Sequence, residues 1–234
     1  MNSVKIIISG YGRMGREIES VLLERGHACI ECSEDITSVD PQKAADTVCI
    51  DFTNAQAFSA NYKFIADNFK AAVIGTTGWN DIRSEVISYF ESKGKPMVYA
   101  SNFSVGVNIM FKLTEMCSKI VAGMADYDPY LIEMHHKFKL DAPSGTAKTL
   151  ASIVSKNTGK SVDVQSVRSG FIPGIHELGF ESQVDRIKIT HEAFSRRGFA
   201  EGSVVAAEWT AEIRGVCEFR EILEEKFNKI IGIC

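Results

Sequence analysis

The stretch that decides the fold is Val4-Lys-Ile-Ile-Ile-Ser-Gly-Tyr-Gly-Arg-Met-Gly15. Its first half is short, β-branched and nearly all apolar, which is typical of a buried parallel strand. A Gly-x-Gly-x-x-Gly turn follows at once, and apolar side chains then recur at helical spacing between Arg16 and Arg25. This context is typical of a turn that binds the pyrophosphate of a dinucleotide, whereas the glycines alone would also fit an ordinary turn. We therefore expect cofactor contacts from Gly10, Tyr11, Gly12, Arg13, Met14 and Gly15.

A second strand is predicted at His27-Ala-Cys-Ile-Glu31. Glu31 falls about 20 residues beyond the glycine turn, where a carboxylate binds the adenosine ribose hydroxyls of a dinucleotide. The alternative is an ordinary exposed carboxylate at the end of a strand, and the sequence favours neither interpretation.

Strand and helix patterns continue to alternate up to residue 104, with buried strand-like runs at 47–52, 71–74 and 96–100. Such alternation predicts a parallel, doubly wound sheet. Small polar residues follow two of these strands, at the sheet edge where ligands bind in folds of this kind. The further expected cofactor contacts are Gly75, Thr76, Thr77, Ala100, Ser101, Asn102 and Phe103.

The pattern changes after residue 104. A predicted helix over 105–121 leads to a strand at 130–138, a helix at 145–158, and strand-like runs at 162–168, 175–181 and 184–193. Helical patterns at 203–214 and 219–231 are expected to return to the first domain. The predicted fold is α/β: a Rossmann-like doubly wound parallel sheet (1–104 and 204–234), which binds the dinucleotide, and a smaller α+β domain with a mixed or antiparallel sheet (105–203).

The second candidate site is Glu133-Met-His-His-Lys-Phe-Lys-Leu-Asp-Ala-Pro-Ser-Gly-Thr-Ala147. If a strand runs through its first half, alternation places His135 and Lys139 on one face, about 13 Å apart. Pro143 stops the strand because it has no amide hydrogen to donate. Ser144 is expected to cap a helix whose first amides, with Gly145, attract carboxylates or phosphates.

Two imidazoles, an ammonium group and an anion-binding helix start within one short stretch predict a catalytic site. The alternative is that the histidines are packed or hydrogen-bonded and that the serine is only a cap. A metal site is less favoured, because adjacent histidines point to opposite faces of a strand and no Cys or His completes a ligand set.

Composition narrows the class of protein. The chain has 234 residues, of which 45% are hydrophobic and 24% charged, as is ordinary for a globular protein. A formal net charge of −4 argues against nucleic acid or an anionic membrane as partner, and no apolar run has the length of a membrane helix. Among the six cysteines only Cys29-x-x-Cys32 has a close spacing, and it lies in a strand-like run. We expect reduced, buried thiols and a cytoplasmic location.

Several motifs together resemble the 4-hydroxy-tetrahydrodipicolinate reductase (dihydrodipicolinate reductase) family. They are the glycine turn, Gly75-Thr-Thr-Gly, Ala100-Ser-Asn-Phe, and above all His135-His-x-x-Lys139-x-Asp-Ala-Pro-Ser-Gly-Thr146. Two further stretches also match: Arg168-x-Gly-x-x-x-Gly-x-His176-x-x-x-Phe180 and Ile189-Thr-His191-x-Ala-x-Ser-Arg196-x-x-Phe-Ala200-x-Gly202. The resemblance covers nearly the whole chain and assigns no role to Arg168, His176, His191 or Arg196.

The resemblance implies reduction of a cyclic, imine-like dicarboxylate by NADH or NADPH, with loss of water, in lysine and diaminopimelate biosynthesis. In the matching positions His135 is the proton donor and acceptor, Lys139 is a proton donor, and His136 contacts the substrate. Ser144, Gly145 and Thr146 match the cradle for a substrate carboxylate. The family is usually tetrameric through the sheet of its second domain, so a homotetramer is expected.

The choice of nicotinamide cofactor and the class of protein both leave alternatives open. Where NADPH-preferring relatives have an arginine, this chain has Cys32-Ser33, so we expect NADH to be used at least as well as NADPH. A regulator that senses dinucleotides without catalysis, or a different reductase of the same two-domain plan, such as an amino-acid dehydrogenase, would also contain the glycine turn. Neither would need the adjacent histidines followed by lysine and the Ser-Gly-Thr helix start.

Overall fold

The computed structural model describes residues 3–124 and 126–232. The chain forms two compact units, one of residues 1–104 with 197–234 and one of residues 105–196.

The first unit begins with five strands and four α-helices that alternate along the chain. They are β1 (Lys5–Ser9), α1 (Arg13–Glu24), β2 (Ala28–Ser33), α2 (Pro41–Ala44), β3 (Val48–Asp51), α3 (Ala55–Asn68), β4 (Ala71–Ile74), α4 (Arg83–Ser92) and β5 (Met97–Tyr99). The second unit contains α5 (Val105–Val121), β6 (Asp128–His135), α6 (Gly145–Thr158), β7 (Val164–Arg168), β8 (Ile175–Glu181) and β9 (Arg186–Glu192). The chain then completes the first unit with α7 (Arg197–Trp209), β10 (Val216–Glu218) and α8 (Phe219–Ile231).

The sheet of the first unit has six parallel strands in the order β10-β5-β4-β3-β1-β2. The strands β3 and β4 are buried along their whole length, as their continuous apolar runs predict. Strand order reverses between β1 and β3, and in open sheets of this kind ligands bind outside the carboxyl ends of the strands at such a point. The predicted Rossmann-like doubly wound sheet is confirmed.

Aromatic side chains fill the core beside this sheet. Phe58, Phe69 and Phe90 are fully buried, and Phe58 packs against Trp79 with ring centroids 5.1 Å apart. The helix that carries Phe58 is capped by Asn54, whose side chain accepts a hydrogen bond from the amide of Ala57 at 3.0 Å.

The sheet of the second unit has four strands in the order β7-β6-β8-β9. The pair β6–β7 is parallel and the other two pairs are antiparallel, so the predicted mixed sheet is confirmed. Leu131 and Leu178, both fully buried, pack with Leu150 of α6 and Phe111 of α5 on one face. The alternation predicted for the strand holds as far as His135, because Leu131, Glu133 and His135 all point into the buried side.

Two boundaries differ from the prediction. The strand β6 ends at His135 instead of residue 138, and the chain turns there, with the amide of Lys139 donating to the carbonyl oxygen of His136. The returning helix begins at Arg197. The sequence analysis had placed both the start of this helix and the end of the second domain at residue 203. Gly202 lies within this helix, and a glycine there makes the helical pattern harder to recognise in the sequence. It allows close packing, because a Cβ there would lie 1.7 Å from the carbonyl oxygen of Phe103.

Within the part of the chain that the structure describes, none of the helices combines the length and the apolarity needed to cross a bilayer.

Candidate active site

The glycine turn leaves room for a ligand at the start of α1. Gly10 has φ +89°, and a Cβ there would lie 2.6 Å from the carbonyl oxygen of Phe52, so only glycine fits. Gly15 meets the turn just as closely, since its Cβ would lie 2.3 Å from the oxygen of Gly10. A Cβ at Gly12, in contrast, would meet nothing within 4 Å. The open side of the turn therefore exposes the first amides of α1, which suit the pyrophosphate of a dinucleotide.

A buried carboxylate organises the point where strand order reverses. Asp51, at the end of β3, accepts hydrogen bonds from the hydroxyls of Ser9 at 2.7 Å, Thr76 at 2.5 Å and Thr53 at 3.0 Å. Burial raises the pKa of Asp51 against the opposing effect of these donors. The hydroxyl of Thr76 is thus engaged inside the protein, which leaves the exposed Thr77 and the backbone to face a ligand. Sequence analysis missed Asp51, although its position at a strand end was a signal.

The stretch that follows β5 also contains both buried residues and residues that solvent reaches. Phe103 is buried, with its ring centroid 5.0 Å from that of Phe219 and 6.1 Å from that of Phe52. Ala100 is also buried, Asn102 accepts a hydrogen bond from the amide of Ser104 at 2.8 Å, and Ser101 is exposed. Of the four predicted cofactor contacts, Ser101 and Asn102 have side chains that solvent reaches.

Glu31 does not terminate its strand. The strand β2 extends to Ser33, which pairs with Ser9 at the sheet edge, and Glu34 follows as an exposed carboxylate. Glu31 lies within the strand and forms an ion pair with Lys43 at 3.6 Å. A shift of register between β1 and β2, beside Ile6 and Ile7, accounts for the displacement.

The second predicted site is built around Glu133, a residue that sequence analysis did not single out. Its carboxylate is fully buried and accepts hydrogen bonds from both terminal nitrogens of Arg168, at 2.6 and 3.0 Å, and from Nδ1 of His135. Burial by itself would raise the pKa of Glu133, but the bonds from Arg168, Ser166 and His135 outweigh it and lower the pKa to about 2. Glu133 is therefore ionised, and a carboxylate accepts only, so Nδ1 of His135 carries the proton.

His135 consequently presents Nε2 as its free nitrogen. Gly174 lies beside that atom, and a Cβ at Gly174 would come within 3.0 Å of it. Burial lowers the pKa of His135, opposed by the bond to Glu133. A largely buried imidazole with one fixed tautomer and one open nitrogen can take up or release a proton at Nε2.

The same sheet face carries a row of polar residues across all four strands. Glu133 pairs with Ser166 of β7 on one side and with His176 of β8 on the other, and His176 pairs with His191 of β9. The ring of His176 packs 5.2 Å from that of His135, and its Nε2 lies 3.0 Å from the hydroxyl of Ser144. Burial, with a smaller effect of His135, lowers the pKa of His176 to about 4, so this ring is neutral near pH 7.

The helix start predicted at Ser144 is confirmed. The hydroxyl of Ser144 accepts a hydrogen bond from the amide of Ala147 at 3.2 Å, and its own amide donates to Glu133 at 3.3 Å. The Ser144 side chain is thus buried and engaged within the protein, whereas Gly145 is exposed and Thr146 half-buried at the first positions of α6. The amides of these two residues stay the predicted anion-binding part of the stretch.

The turn after β6 holds the remaining predicted residues. Alternation predicted that Lys139 shares a strand face with His135. It does not, because the strand has already ended. Its Nζ forms an ion pair with Asp141 at 2.7 Å. The ring of His136 lies 6.2 Å from that of Phe138, and its Nδ1 is buried without a protein partner. Arg196 is exposed, at the end of the second unit.

Comparison with known proteins identifies the family. The family model described as the N-terminus of dihydrodipicolinate reductase matches residues 4–103, and the model of its C-terminus matches residues 106–223. A protein of Christiangramia forsetii called 4-hydroxy-tetrahydrodipicolinate reductase is 36% identical over 96% of this chain and 100% of its own length. One of the same name from Akkermansia muciniphila is 35% identical over 88% of this chain and 92% of its own length.

Among solved structures, a dipicolinate-bound dihydrodipicolinate reductase from Paenisporosarcina sp. TG-14 superposes with a TM-score of 0.77. It is 20% identical and covers 93% of this chain and 98% of its own, which shows a shared fold. Aspartate semialdehyde dehydrogenase II from Vibrio cholerae has a lower TM-score, 0.55, at 12% identity over 90% of this chain and 99% of its own. The two family models account for almost the whole sequence, and the chain belongs to the dihydrodipicolinate reductase family.

Proposed function

We propose that this chain reduces 4-hydroxy-tetrahydrodipicolinate to tetrahydrodipicolinate with NADH or NADPH, with loss of water, in the synthesis of diaminopimelate and lysine. The observation that carries the proposal is the Glu133-oriented imidazole of His135 on the strand that leads to an anion-binding helix start at Gly145. A proton-exchanging group and a carboxylate-binding group in one stretch match a substrate that is both a dicarboxylate and a proton acceptor.

The first unit would hold the cofactor. The amides at the start of α1 and the open face of Gly12 suit its pyrophosphate, and Thr77, Ser101 and Asn102 follow neighbouring parallel strands. The nicotinamide, when bound, supplies a hydride to the substrate. The chain's own residues bind and orient both molecules and deal with the protons.

The second unit would hold the substrate. One carboxylate is bound by the amides of Gly145 and Thr146, and His136, whose buried Nδ1 has no protein partner, is placed for a further polar contact. Reduction of a conjugated imine develops negative charge on the ring, which a positioned acid must neutralise. His135 at Nε2 and the ammonium group of Lys139 are the proposed acids, and Asp141 holds Lys139 in the turn until substrate competes for it.

The proposed assembly is a cytoplasmic homotetramer formed through the four-stranded sheet. The strands β7 and β9 carry the partly exposed apolar side chains Val167 and Ile187. A pair of such sheets buries apolar surface on association, which is favourable. Light scattering of the purified protein gives the mass directly, and a monomeric mass of 25.8 kDa at assay concentration would contradict the tetramer.

An absorbance assay tests the reaction. Purified protein is mixed with NADH or NADPH, and substrate is generated in situ by the preceding condensation step. We expect cofactor oxidation that depends on substrate and on His135. Oxidation that instead requires a 2-oxo acid and ammonia would identify an amino-acid dehydrogenase. Cofactor binding without turnover of any of these substrates would favour a sensor.

A further inference from the structure

A cluster of two thiols and a carboxylate lies beside the glycine turn, and the candidate sites give its three residues no role. Cys29 and Cys32 belong to β2 and Glu19 to the facing helix α1. The two Sγ atoms are 3.5 Å apart, and Sγ of Cys32 is 3.7 Å from Oε1 of Glu19. All three residues are partly exposed, and one ligand atom from each lies within 4.8 Å of the others.

The fold brings the two thiols together by a local irregularity. In a regular strand, residues three apart point to opposite faces of the sheet. Here the register shifts between the pairs Ile6–Cys29 and Ile7–Glu31, so that Ile30 is the extra residue. The shift rotates the strand and places Cys29 and Cys32 on the same side. The sequence analysis expected buried thiols and gave this pair no role, whereas both thiols are partly exposed.

Two of the three separations lie close to those between the ligands of a tetrahedral zinc ion. With Zn–S bonds of about 2.3 Å and a Zn–O bond of about 2.0 Å, tetrahedral geometry puts two sulfurs about 3.8 Å apart and a sulfur and an oxygen about 3.5 Å apart. The observed distances of 3.5 and 3.7 Å need adjustments of only a few tenths of an ångström. Solvent can reach the cluster and supply a fourth ligand.

The neighbouring groups favour a cation. Glu19 brings a carboxylate oxygen next to the Cys32 thiol. The other oxygen of Glu19, Oε2, accepts a hydrogen bond from the hydroxyl of Tyr11. That bond fixes the carboxylate with Oε1 toward the thiols, as outer hydrogen bonds do for metal-binding carboxylates.

We propose that Cys29, Cys32 and Glu19 bind a thiophilic divalent cation such as Zn²⁺, with water as the fourth ligand. Binding replaces the two thiol protons, which pass to solvent, and involves no change of oxidation state. Because Tyr11 lies between Gly10 and Gly12, the ion also holds the residue at the centre of the cofactor turn. The site goes beyond the reductase activity and does not depend on it.

Cobalt substitution tests the site with a spectroscopic readout. The full-length protein is kept reduced with a phosphine and titrated with Co²⁺. We expect a near-ultraviolet thiolate-to-cobalt absorption band that saturates at one ion per chain and disappears when Zn²⁺ is added. Histidine and carboxylate ligands give no such band, so binding near Glu133, His135 and His176 is distinguished.

Variants assign the ligands. Cys29→Ser and Cys32→Ser should each weaken Co²⁺ binding by tenfold or more and reduce the band. Glu19→Gln should weaken binding as well, and Tyr11→Phe, which removes only the outer hydrogen bond, should weaken it about tenfold. Cys117→Ser is the matched control, because Cys117 is a partly buried thiol of the second unit, and it should leave the titration unchanged.

Three results would overturn the proposal. One is the lack of a thiolate band in the folded, reduced wild type. Another is a band of equal intensity and affinity in Cys29→Ser or Cys32→Ser. The third is tight binding in the wild type that Glu19→Gln leaves unchanged, which would remove the helix from the ligand set.

Discussion

Glu133 and His135 lie on the same face of β6, and the carboxylate of Glu133 accepts the Nδ1 proton of His135. Arg168, which comes from the parallel neighbour β7, binds both oxygens of that carboxylate and keeps it ionised. The pair therefore sets which nitrogen of His135 is free. A proton-exchanging group needs such an orienting partner as much as it needs a suitable pKa.

Glu133→Gln tests this relationship. The amide keeps the shape of the side chain, but it has only one accepting oxygen, for which Arg168 and His135 compete. If its NH₂ group faces Nδ1, the imidazole must take the other tautomer. We expect turnover to fall by roughly 10²-fold or more, with little change in the Michaelis constant for the cofactor.

The control for this variant is Glu177→Gln on β8, where the carboxylate binds Lys188 and Tyr130 near the surface. It should retain turnover. Removing one partner of a buried ion pair costs roughly 3–5 kcal/mol, so Glu133→Gln should also unfold at lower temperature. A folded Glu133→Gln enzyme with wild-type turnover would show that the carboxylate only supports Arg168.

His135→Ala and Lys139→Ala test the proposed acids. Each should lower turnover by roughly 10²–10⁴-fold, because each removes a proton donor from the transition state. Dissociation constants for the cofactor should hardly change, because both residues belong to the second unit. Lys137→Ala removes an exposed lysine of the same turn and should have little effect. Near wild-type turnover in either active-site variant would limit that residue to binding.

Thr146→Val tests the anion-binding helix start. Pyridine-2,6-dicarboxylate, a planar mimic of the substrate's two carboxylates, should inhibit competitively with substrate. Valine keeps the shape of threonine but lacks its hydroxyl, so inhibition should weaken by about 1–3 kcal/mol if that hydroxyl donates to a carboxylate. Thr149→Val is the matched control one turn along, since its hydroxyl donates to the carbonyl of Gly145. Equal inhibition of all three proteins would show that the Thr146 hydroxyl makes no contact with the ligand.

The buried neutral His176 predicts how stability depends on pH. Its pKa is about 4 in the folded state against the usual 6.5, so the unfolded chain takes up a proton first as the pH falls. Stability is therefore highest above pH 6.5 and decreases down to pH 4, by about 3 kcal/mol across that window. Urea unfolding between pH 4.5 and 7.5 measures the slope.

His176→Gln should flatten that slope relative to wild type. Ser144→Ala is the comparison, because it removes the hydrogen-bond partner and the helix cap but keeps the imidazole. It should lose about 1 kcal/mol at every pH while the slope persists. An unchanged slope in His176→Gln would assign the pH dependence to other groups.

The sequence predicted most of the first unit, apart from the end of β2 and the start of α7, because its signals are local. Apolar runs, the glycine turn and the Asn54 cap each act within a few residues, and together they predict parallel strands and their helices. The second unit depends on pairing that local patterns do not encode. Arg168 reaches Glu133 only because β7 lies parallel to β6, and no periodicity indicates that neighbour.

One signal for Glu133 was nevertheless present. It alternates with apolar Leu131 and so shares a strand face with it, and a charged group on a buried face requires a partner. The placement of Lys139 failed for a different reason. The prediction extended the alternation past His135. The chain turns there instead, and the turn is closed by backbone hydrogen bonds that depend on residues of another loop, such as the bond from Lys137 to Gly170.

The choice of nicotinamide cofactor depends on the charges near the end of β2. Glu31 suits the free ribose hydroxyls of NADH and repels the extra phosphate of NADPH, but Lys43, at 3.6 Å, partly offsets that repulsion. We expect the wild type to use NADH at least as well as NADPH. Glu31→Ala should shift the ratio of kcat/KM values toward NADPH, because Lys43 then lacks its partner, and Lys43→Ala should shift the ratio toward NADH.

Glu34→Ala is the informative comparison, since Glu34 is the first exposed carboxylate beyond the strand end. If Glu34→Ala changes the ratio and Glu31→Ala does not, the ribose carboxylate is Glu34. A wild type that favours NADPH tenfold or more, about 1.4 kcal/mol, would mean that Lys43 or Arg13 determines the preference.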